Sequence, residues 1–408
     1  MADAHPLRLL TINTGSSSLK AARYVTDGPE GAVRRSFSAT AERIGASGAG
    51  EGGGHLRVIG AAGESLLDVD GDYPDHAGAL AALFAWMRTR GDDAVLDAVG
   101  HRVVHGGLHY REPQVVSDAM LAALRDLVPI DPDHLPQAIA LVEAVTKAYP
   151  GLPQVACFDT AFHRHMPTVA QAYPLPPEYA AAGVMRYGFH GLSYEYIVGA
   201  LGALGAADAT AARGRVVIAH LGNGASMAAV RGGVGIETTM GFSPTGGIMM
   251  GTRTGDLDPG VLLYLLRARG MSVAEVSTLV NKGAGLCGVS GTSADMRDLL
   301  AAEATDPHAA AAVDLFCYTA KKALGALVAV LGGLDTLVFT GGIGEHAAPV
   351  RARITAGLDY LGLHVDAQRN AAHDGVISTD DSTVTVRVMP TNEDLMIAHH
   401  TAQLMQSA

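Results

Sequence analysis

Positive charge, cysteine and long apolar runs are all scarce in this sequence. Lysine and arginine number 29 against 41 acidic residues, a formal net charge of −12. That balance removes any general attraction to nucleic acid or to an anionic membrane surface. If such a protein handles anions, it must use a few placed cations and backbone N–H groups. The only cysteines are Cys157, Cys287 and Cys317, far apart, odd in number and without a C-x-x-C spacing. A disulfide framework and a structural zinc site are both excluded, and a reducing compartment, the cytoplasm, is expected. The longest apolar run, residues 323–334, is too short to span a bilayer and holds Gly325, Gly332 and Gly333. A buried helix in a soluble protein is expected there. The stretch before residue 12 is too short for the apolar core of a signal peptide. Neither a Walker A pattern nor a strand–G-x-G-x-x-G–helix fingerprint occurs, which argues against P-loop and Rossmann folds.

What the 408 residues do contain is 48% hydrophobic and 17% charged side chains, the balance of a well-buried globular protein with two domains. A strand-like run at 7–13, a polar turn Thr14-Gly-Ser-Ser-Ser18 and a second run at 19–25 read as a hairpin. Residues 45–54 are glycine-rich and without periodicity, a surface loop. Helical runs follow at 77–90, 118–127 and 136–148. Residues 215–226 repeat the opening plan of apolar strand, Gly-rich turn ending in Ser, and apolar strand, and a third strand-turn lies at 336–345. This is a weak internal duplication. Two α/β halves that each present such turns would form a cleft, and clefts bind small ligands. Gly and Ser at tight turns let successive N–H groups point into one concavity, as a polyphosphate requires.

In Val99-Gly-His-Arg-Val-Val-His105, alternation puts Gly100, Arg102 and Val104 on one face. Arg102 beside Val104 suits a carboxylate or phosphate head next to a small apolar wall, or else an interdomain salt bridge. A second arginine, Arg253, stands in the loop 241–259, too rich in Gly, Pro and Thr for a regular element. Its guanidinium could reach a transferring phosphoryl group. Asp159 follows a strand at its C-terminal end, the ligand side of an α/β sheet. Glu393 follows another strand, 384–391. These two carboxylates make a reasonable Mg²⁺ site, or each caps the helix that follows it. His190, in the Gly-rich segment Arg186-Tyr-Gly-Phe-His-Gly-Leu-Ser193, is the histidine best set to approach a ligand.

Taken together, the blocks 13–20, 100–107, 158–163, 186–193, 220–226, 242–259, 285–297, 340–345 and 390–396 resemble the acetate kinase family. That family of acyl-phosphate-forming kinases lies within the actin/Hsp70/sugar-kinase fold group, and the blocks occur in family order along the whole chain. The resemblance implies an α/β protein of duplicated actin-like (ribonuclease H-like) ATPase domains with an interdomain cleft. The domains expected are 1–158 with a returning C-terminal helix 393–408, and 159–392 for nucleotide binding and dimerisation. It implies Mg²⁺-dependent phosphoryl transfer from ATP to acetate, giving acetyl phosphate and ADP, by a homodimer; Mn²⁺ would substitute for Mg²⁺. By the same resemblance Asn13, Asp159 and Glu393 serve the metal, and Arg102 holds the carboxylate. His190 and Arg253 stabilise the transferring group, and Val104, Phe189 and Pro244 wall the methyl pocket. Ser16, Ser18, Lys20, His220, Gly222, Asn223 and Gly224 approach the phosphates, and Asp295, Arg297, Gly342, Ile343 and Gly344 border the adenosine. Three departures stand out. Where the family carries Leu-His-Asn-Pro, residues 129–136 offer either Asp131 or His134 for the histidine. Thr245-Gly246-Gly247 replaces Leu-Glu-Gly, and His346 replaces an asparagine. Rival readings on the same fold are a propionate or other short-chain kinase and a non-metabolic ATPase switch.

Overall fold

The computed structural model describes residues 5–15, 17–27, 32–45, 53–91, 96–204 and 213–407. It divides into two compact units: one takes the chain to Ala161 and again from Asn392, the other is Phe162–Thr391. No described helix is long and apolar enough to cross a membrane.

In the first unit the opening run forms β1 (Arg8–Thr14), antiparallel to β2 (Leu19–Thr26). The turn between them is closed by Gly15 N donating to Ser18 O at 2.8 Å. A Cβ at Gly15 would lie 2.6 Å from Ser18 Oγ, so the turn needs glycine. Ser16 lies outside the described residues, as do residues 46–52 of the expected loop at 45–54. The sheet continues through β3 (Val33–Glu42), β4 (Gly54–Gly60) and β5 (Ser65–Gly71) on one side. On the other side lie β6 (Ala98–Val103), β8 (Gln154–Phe158) and the short β7 (Gln114–Val115). Among the described residues its order is β5-β4-β3-β2-β1-β6-β8-β7, with β1, β6 and β8 parallel.

Alternation along β1 separates two cores. Leu10 and Ile12 join Leu80, Leu83, Phe84 and Met87 of the helix His76–Arg90. Leu9 instead meets Ala398 and Ala402 of the C-terminal helix Glu393–Ser407. The first helix starts where Asp75 accepts from Gly78 N at 2.8 Å and stops at Gly91, φ 72°. The expected runs at 118–127 and 136–148 are the helices Asp118–Asp126 and Leu135–Ala148. The C-terminal helix needs close approach to β6: a Cβ at Gly100 would stand 2.3 Å from Thr401 Oγ1 and 2.5 Å from Ile397 Cγ2.

The second unit repeats the plan with β9 (Arg215–Leu221), β10 (Ala225–Arg231), β11 (Val234–Thr238), β12 (Thr336–Thr340) and β13 (Thr385–Val388). Their order is β11-β10-β9-β12-β13, antiparallel for the β9–β10–β11 part and parallel for β9, β12 and β13. This matches β3-β2-β1-β6-β8, so the duplication read from the turns is a duplication of topology. Tyr194, Ile197 and Leu201 of the helix Gly191–Gly202 pack against Val216, Ile218, Val230 and Val338. The apolar run at 323–334 lies mostly in the long helix Pro307–Leu331, which buries Phe316, Leu324 and Leu327. The third strand-turn, 336–345, differs from the two hairpins: β12 has parallel neighbours on both sides, so its chain must leave the sheet. It does so at Gly341, φ 76°, and enters the helix Gly341–His346.

Candidate active site

Three adjacent parallel strands of the first unit end in polar groups that bond to one another. Asn13 closes β1, Arg102 lies near the end of β6, and Asp159 follows β8. Arg102 donates from Nε to Asp159 Oδ1 and Oδ2, at 3.0 and 3.1 Å, and from Nη2 to Oδ2 at 2.6 Å. Its Nη1 donates to Asn13 Oδ1 at 3.1 Å. Asn13 Nδ2 in turn donates to Glu393 Oε2 at 2.9 Å, and that oxygen stands 3.8 Å from Arg102 Nε. Glu393 opens the C-terminal helix, but the capping oxygen is Asn392 Oδ1, which accepts from Leu395 N at 3.1 Å. The Glu393 carboxylate is thereby turned to the cluster.

Burial alone would lower the pKa of Arg102, yet Asp159, then Glu393, and last Asp131 more than reverse this and hold it above its ordinary range. The guanidinium is therefore a permanent cation inside an acidic ring. Asp159 is fully buried, and the pairing with Arg102 offsets the cost of its charge. The alternatives at 129–136 resolve into a pair. Asp131, buried, bonds His134 Nδ1 through Oδ1 at 2.6 Å, so both residues occupy the same corner of the unit. Val104 is buried on the same chain segment as Arg102. Lys20 faces Asn13 across the β1–β2 pair with its side chain exposed.

In the second unit the chain reverses at His190, φ 59° and ψ 25°, directly before the helix Gly191–Gly202. Its ring stacks on His220 with centroids 4.3 Å apart. His190 Nδ1 meets Ser226 Oγ at 2.7 Å, and Tyr194 Oη meets the same oxygen at 2.5 Å. Where Tyr194 donates to Ser226 and Ser226 to Nδ1, the ring proton stands on Nε2; in the other tautomer Nδ1–H donates to Ser226 Oγ. A Cβ at Gly224 would lie 3.2 Å from that Nε2 and 3.9 Å from Arg253 Nη1, so both donors flank the Gly222–Gly224 turn. Arg253 is steadied by Nη1 donating to Pro244 O at 3.2 Å. The loop that carries it is docked on the turn: Gly251 N donates to Asn223 O at 2.9 Å. Phe189 and Pro244 are buried in this unit.

Beside the same turn lies a cavity of about 520 Å³ lined by Gly222, Asn223, Asp295, Arg297, Gly342 and Ile343, with Met296, Leu300 and His346 adding to its wall. Asp295 caps the helix Met296–Ala302 and pairs with Arg297 at 2.5 Å, which depresses the carboxyl and raises the guanidinium. Gly344, expected at the adenosine border, is not among the residues lining this cavity. It packs inward, where a Cβ would come within 3.4 Å of the Phe339 backbone, because helical geometry turns it away from Gly342 and Ile343. The sequence reading also missed Ser193, which bonds His220 Nδ1 at 2.8 Å, and the Tyr194–Ser226 link. The Met296/Leu300 pair, four apart on a helix, was the one available sign of an apolar wall.

These features agree with what the chain resembles. The acetokinase family profile matches residues 8–399. An acetate kinase of Rhodopseudomonas palustris is 46% identical over 402 residues, covering 97% of this chain and 98% of that one. The crystal structure of Porphyromonas gingivalis acetate kinase superposes with a TM-score of 0.82 at 36% identity, covering 98% of this chain and 99% of that one. A propionate kinase from Francisella tularensis gives a TM-score of 0.87 at 32% identity, with 97% and 98% covered. With its two sheets of one topology, its arginine–carboxylate cluster and its nucleotide-sized cavity, the chain belongs to the acetokinase family and has its actin-like fold.

Proposed function

We propose that this enzyme transfers the γ-phosphoryl group of ATP to acetate, reversibly, giving acetyl phosphate and ADP. The observation that carries this is Arg102, a buried cation clasped by Asp159 beside Asn13 at the ends of three parallel strands, with Glu393 joining from the start of the C-terminal helix. A carboxylate oxygen of acetate attacks the γ-phosphorus, the bond to the β–γ bridging oxygen breaks, and ADP leaves with that electron pair. Acetate is already a nucleophile, so no strong base is required. The barrier is the approach of two anions, which placed cations and N–H groups relieve. In the first unit Arg102 suits the acetate carboxylate, with Val104 buried on the same segment; in the second, Arg253 and His190 suit the transferring oxygens, and Phe189 and Pro244 suit a small apolar group. The Asp295–Arg297 cavity takes the adenosine.

Asp159, Glu393 and the Asn13 amide oxygen are hard oxygen donors, the set that suits Mg²⁺ bound with nucleotide, and Mn²⁺ suits it as well. Such an ion would neutralise phosphate charge. The helix Pro259–Arg267 buries none of its residues although Val261, Leu263 and Tyr264 are apolar, which supports a homodimer formed through this face. Use of ATP as co-substrate fits a cytoplasmic enzyme.

The test is acetyl-hydroxamate formation from acetate, MgATP and hydroxylamine, with propionate and butyrate in parallel. Arg102→Ala and Arg253→Ala should each cut turnover by several orders of magnitude; near-normal product in either folded variant would refute the assignment. Propionate is the second reading, favoured by the overlap with the Francisella enzyme. One methylene is worth about 1–3 kcal/mol in such a pocket, so the ratio of kcat/KM values decides between the acids.

A further inference from the structure

We propose that Arg351 is a positioning residue for the nucleotide pocket, holding the helix Gly341–His346 and the ring of His373 in the arrangement that forms the pocket wall. The proposal rests on the reading of that cavity as the adenosine site. Arg351, in the helix Ala348–Thr355, is the largest fully buried side chain among the described residues. All five of its N–H donors are used, and each acceptor is neutral. Nε donates to Asn370 Oδ1 at 2.8 Å, and Nη1 donates to Gly344 O and Glu345 O, both at 2.9 Å. Nη2 donates to Asn370 O at 2.7 Å and to His373 Nδ1 at 3.0 Å. Burial pushes its pKa down to about 10, so it stays charged at neutral pH.

A buried charge with no carboxylate partner is costly, and an apolar side chain of similar volume would fill the space without that cost. What an apolar replacement could not do is grip carbonyls. Gly344 and Glu345 lie in the last turn of the helix Gly341–His346, in which Gly342, Ile343 and His346 line the cavity. The start of that helix is fixed separately, since Gly341 sits at φ 76° with the Leu221 backbone 2.8 Å from where a Cβ would be. Arg351 thus grips the carbonyls of the last turn, whose Gly344 also packs on β9, where a Cβ would lie 3.5 Å from Ala219 O. It also reaches the wall through His373. That residue holds a left-handed φ of 58°, and its Nδ1 accepts from Arg351, which leaves the ring proton on Nε2. The ring stands edge-on to His346, centroids 6.2 Å apart, and His346 lines the cavity.

Steady-state kinetics with ATP and acetate varied separately test this on Arg351→Lys, Arg351→Met and His373→Asn, with melting temperatures alongside. Lysine keeps the charge and loses the fork, and should raise the KM for ATP about tenfold while the KM for acetate stays within about twofold. Asparagine tolerates the left-handed backbone and should raise the KM for ATP about threefold with the melting temperature unchanged. Arg351→Met should exceed both; if it fails to fold, the other two variants carry the test. Ile343→Glu, in the wall itself, is the control for the pocket. An Ile343→Glu effect on the KM for ATP without one from folded Arg351→Lys would overturn the positioning role and leave the nucleotide reading standing. No effect from Ile343→Glu would remove that reading and the proposal with it. Equal rises in both KM values with a lower melting temperature would mark Arg351 as merely structural and would also overturn it.

Discussion

His101 should make the first unit acid-sensitive, and by an amount that can be worked out in advance. It is buried on β6 and its Nε2–H donates to Gln154 Oε1 at 2.8 Å; Gln154 Nε2 donates onward to Thr146 Oγ1 at 2.8 Å. Burial lowers its pKa from 6.5 to about 4, against a smaller opposing effect of the Gln154 bond. The unfolded chain therefore takes up a proton near pH 6.5 while the folded chain does not. The neutral ring's contribution is fully present above pH 6.5 and is lost as pH falls from there toward 4. At about 1.4 kcal/mol per pH unit, the whole span is worth about 3 kcal/mol. Between pH 7 and pH 5 the share is about 2 kcal/mol. The perturbation is His101→Gln, an amide that does not titrate. Trp86 is the one tryptophan in the chain and packs edge-on to Phe37 in the first unit, ring centroids 5.1 Å apart. Urea unfolding followed by its fluorescence therefore reports this unit. The variant should lose about 2 kcal/mol less than the unchanged protein between the two pH values. An equal loss in both would refute the argument, since the proton taken up on unfolding would then belong to another group.

Three further outcomes are expected. Gly100→Ala should cost about 1–3 kcal/mol, read from the urea midpoint, because the added methyl meets Thr401 and Ile397; activity should fall with it as the helix bearing Glu393 is displaced. Glu393→Gln keeps an acceptor for Asn13 Nδ2 and removes a charge, so the Mg²⁺ concentration for half-maximal rate should rise about tenfold or more while the KM for acetate changes little. Ser226→Ala breaks the link from Tyr194 to His190 Nδ1; turnover should fall about tenfold and its pH profile should shift, with the KM for ATP nearly constant.

The duplicated α/β fold was legible because each sheet opens on an apolar strand and a Gly- and Ser-rich turn, and a hairpin leaves that mark locally. Arg102 and Asp159 could be anticipated for a similar reason, since strand ends on one edge of a parallel sheet converge, whereas Asn13 was named only through the resemblance and Glu393 reaches the cluster from the C-terminal helix. Arg351 had no such mark. In Val350-Arg351-Ala352-Arg353 the two arginines look alike, yet Arg353 is partly exposed and pairs with Glu303, while Arg351 is sealed inside. Only the tertiary surroundings separate them. Gly342 and Gly344 look alike in sequence, whereas the helix that holds them turns one glycine to the cavity and the other to Phe339. Tyr194 and Ser226 meet from a helix and a strand, which no local pattern announces.

The C-terminal helix also sets an order of events during synthesis. The chain is made from its N-terminus, so all of residues 162–391 is synthesised before the helix that covers Leu9, Ala22, Tyr24 and Ala98 of the first unit. Until those last 15 helical residues arrive, one face of the first sheet lies bare and Asn13 lacks the carboxylate of Glu393. A chain that ended before Glu393 would hold every residue lining the Asp295–Arg297 cavity and lack one member of the arginine–carboxylate cluster. The unit that is begun first is therefore the one completed last.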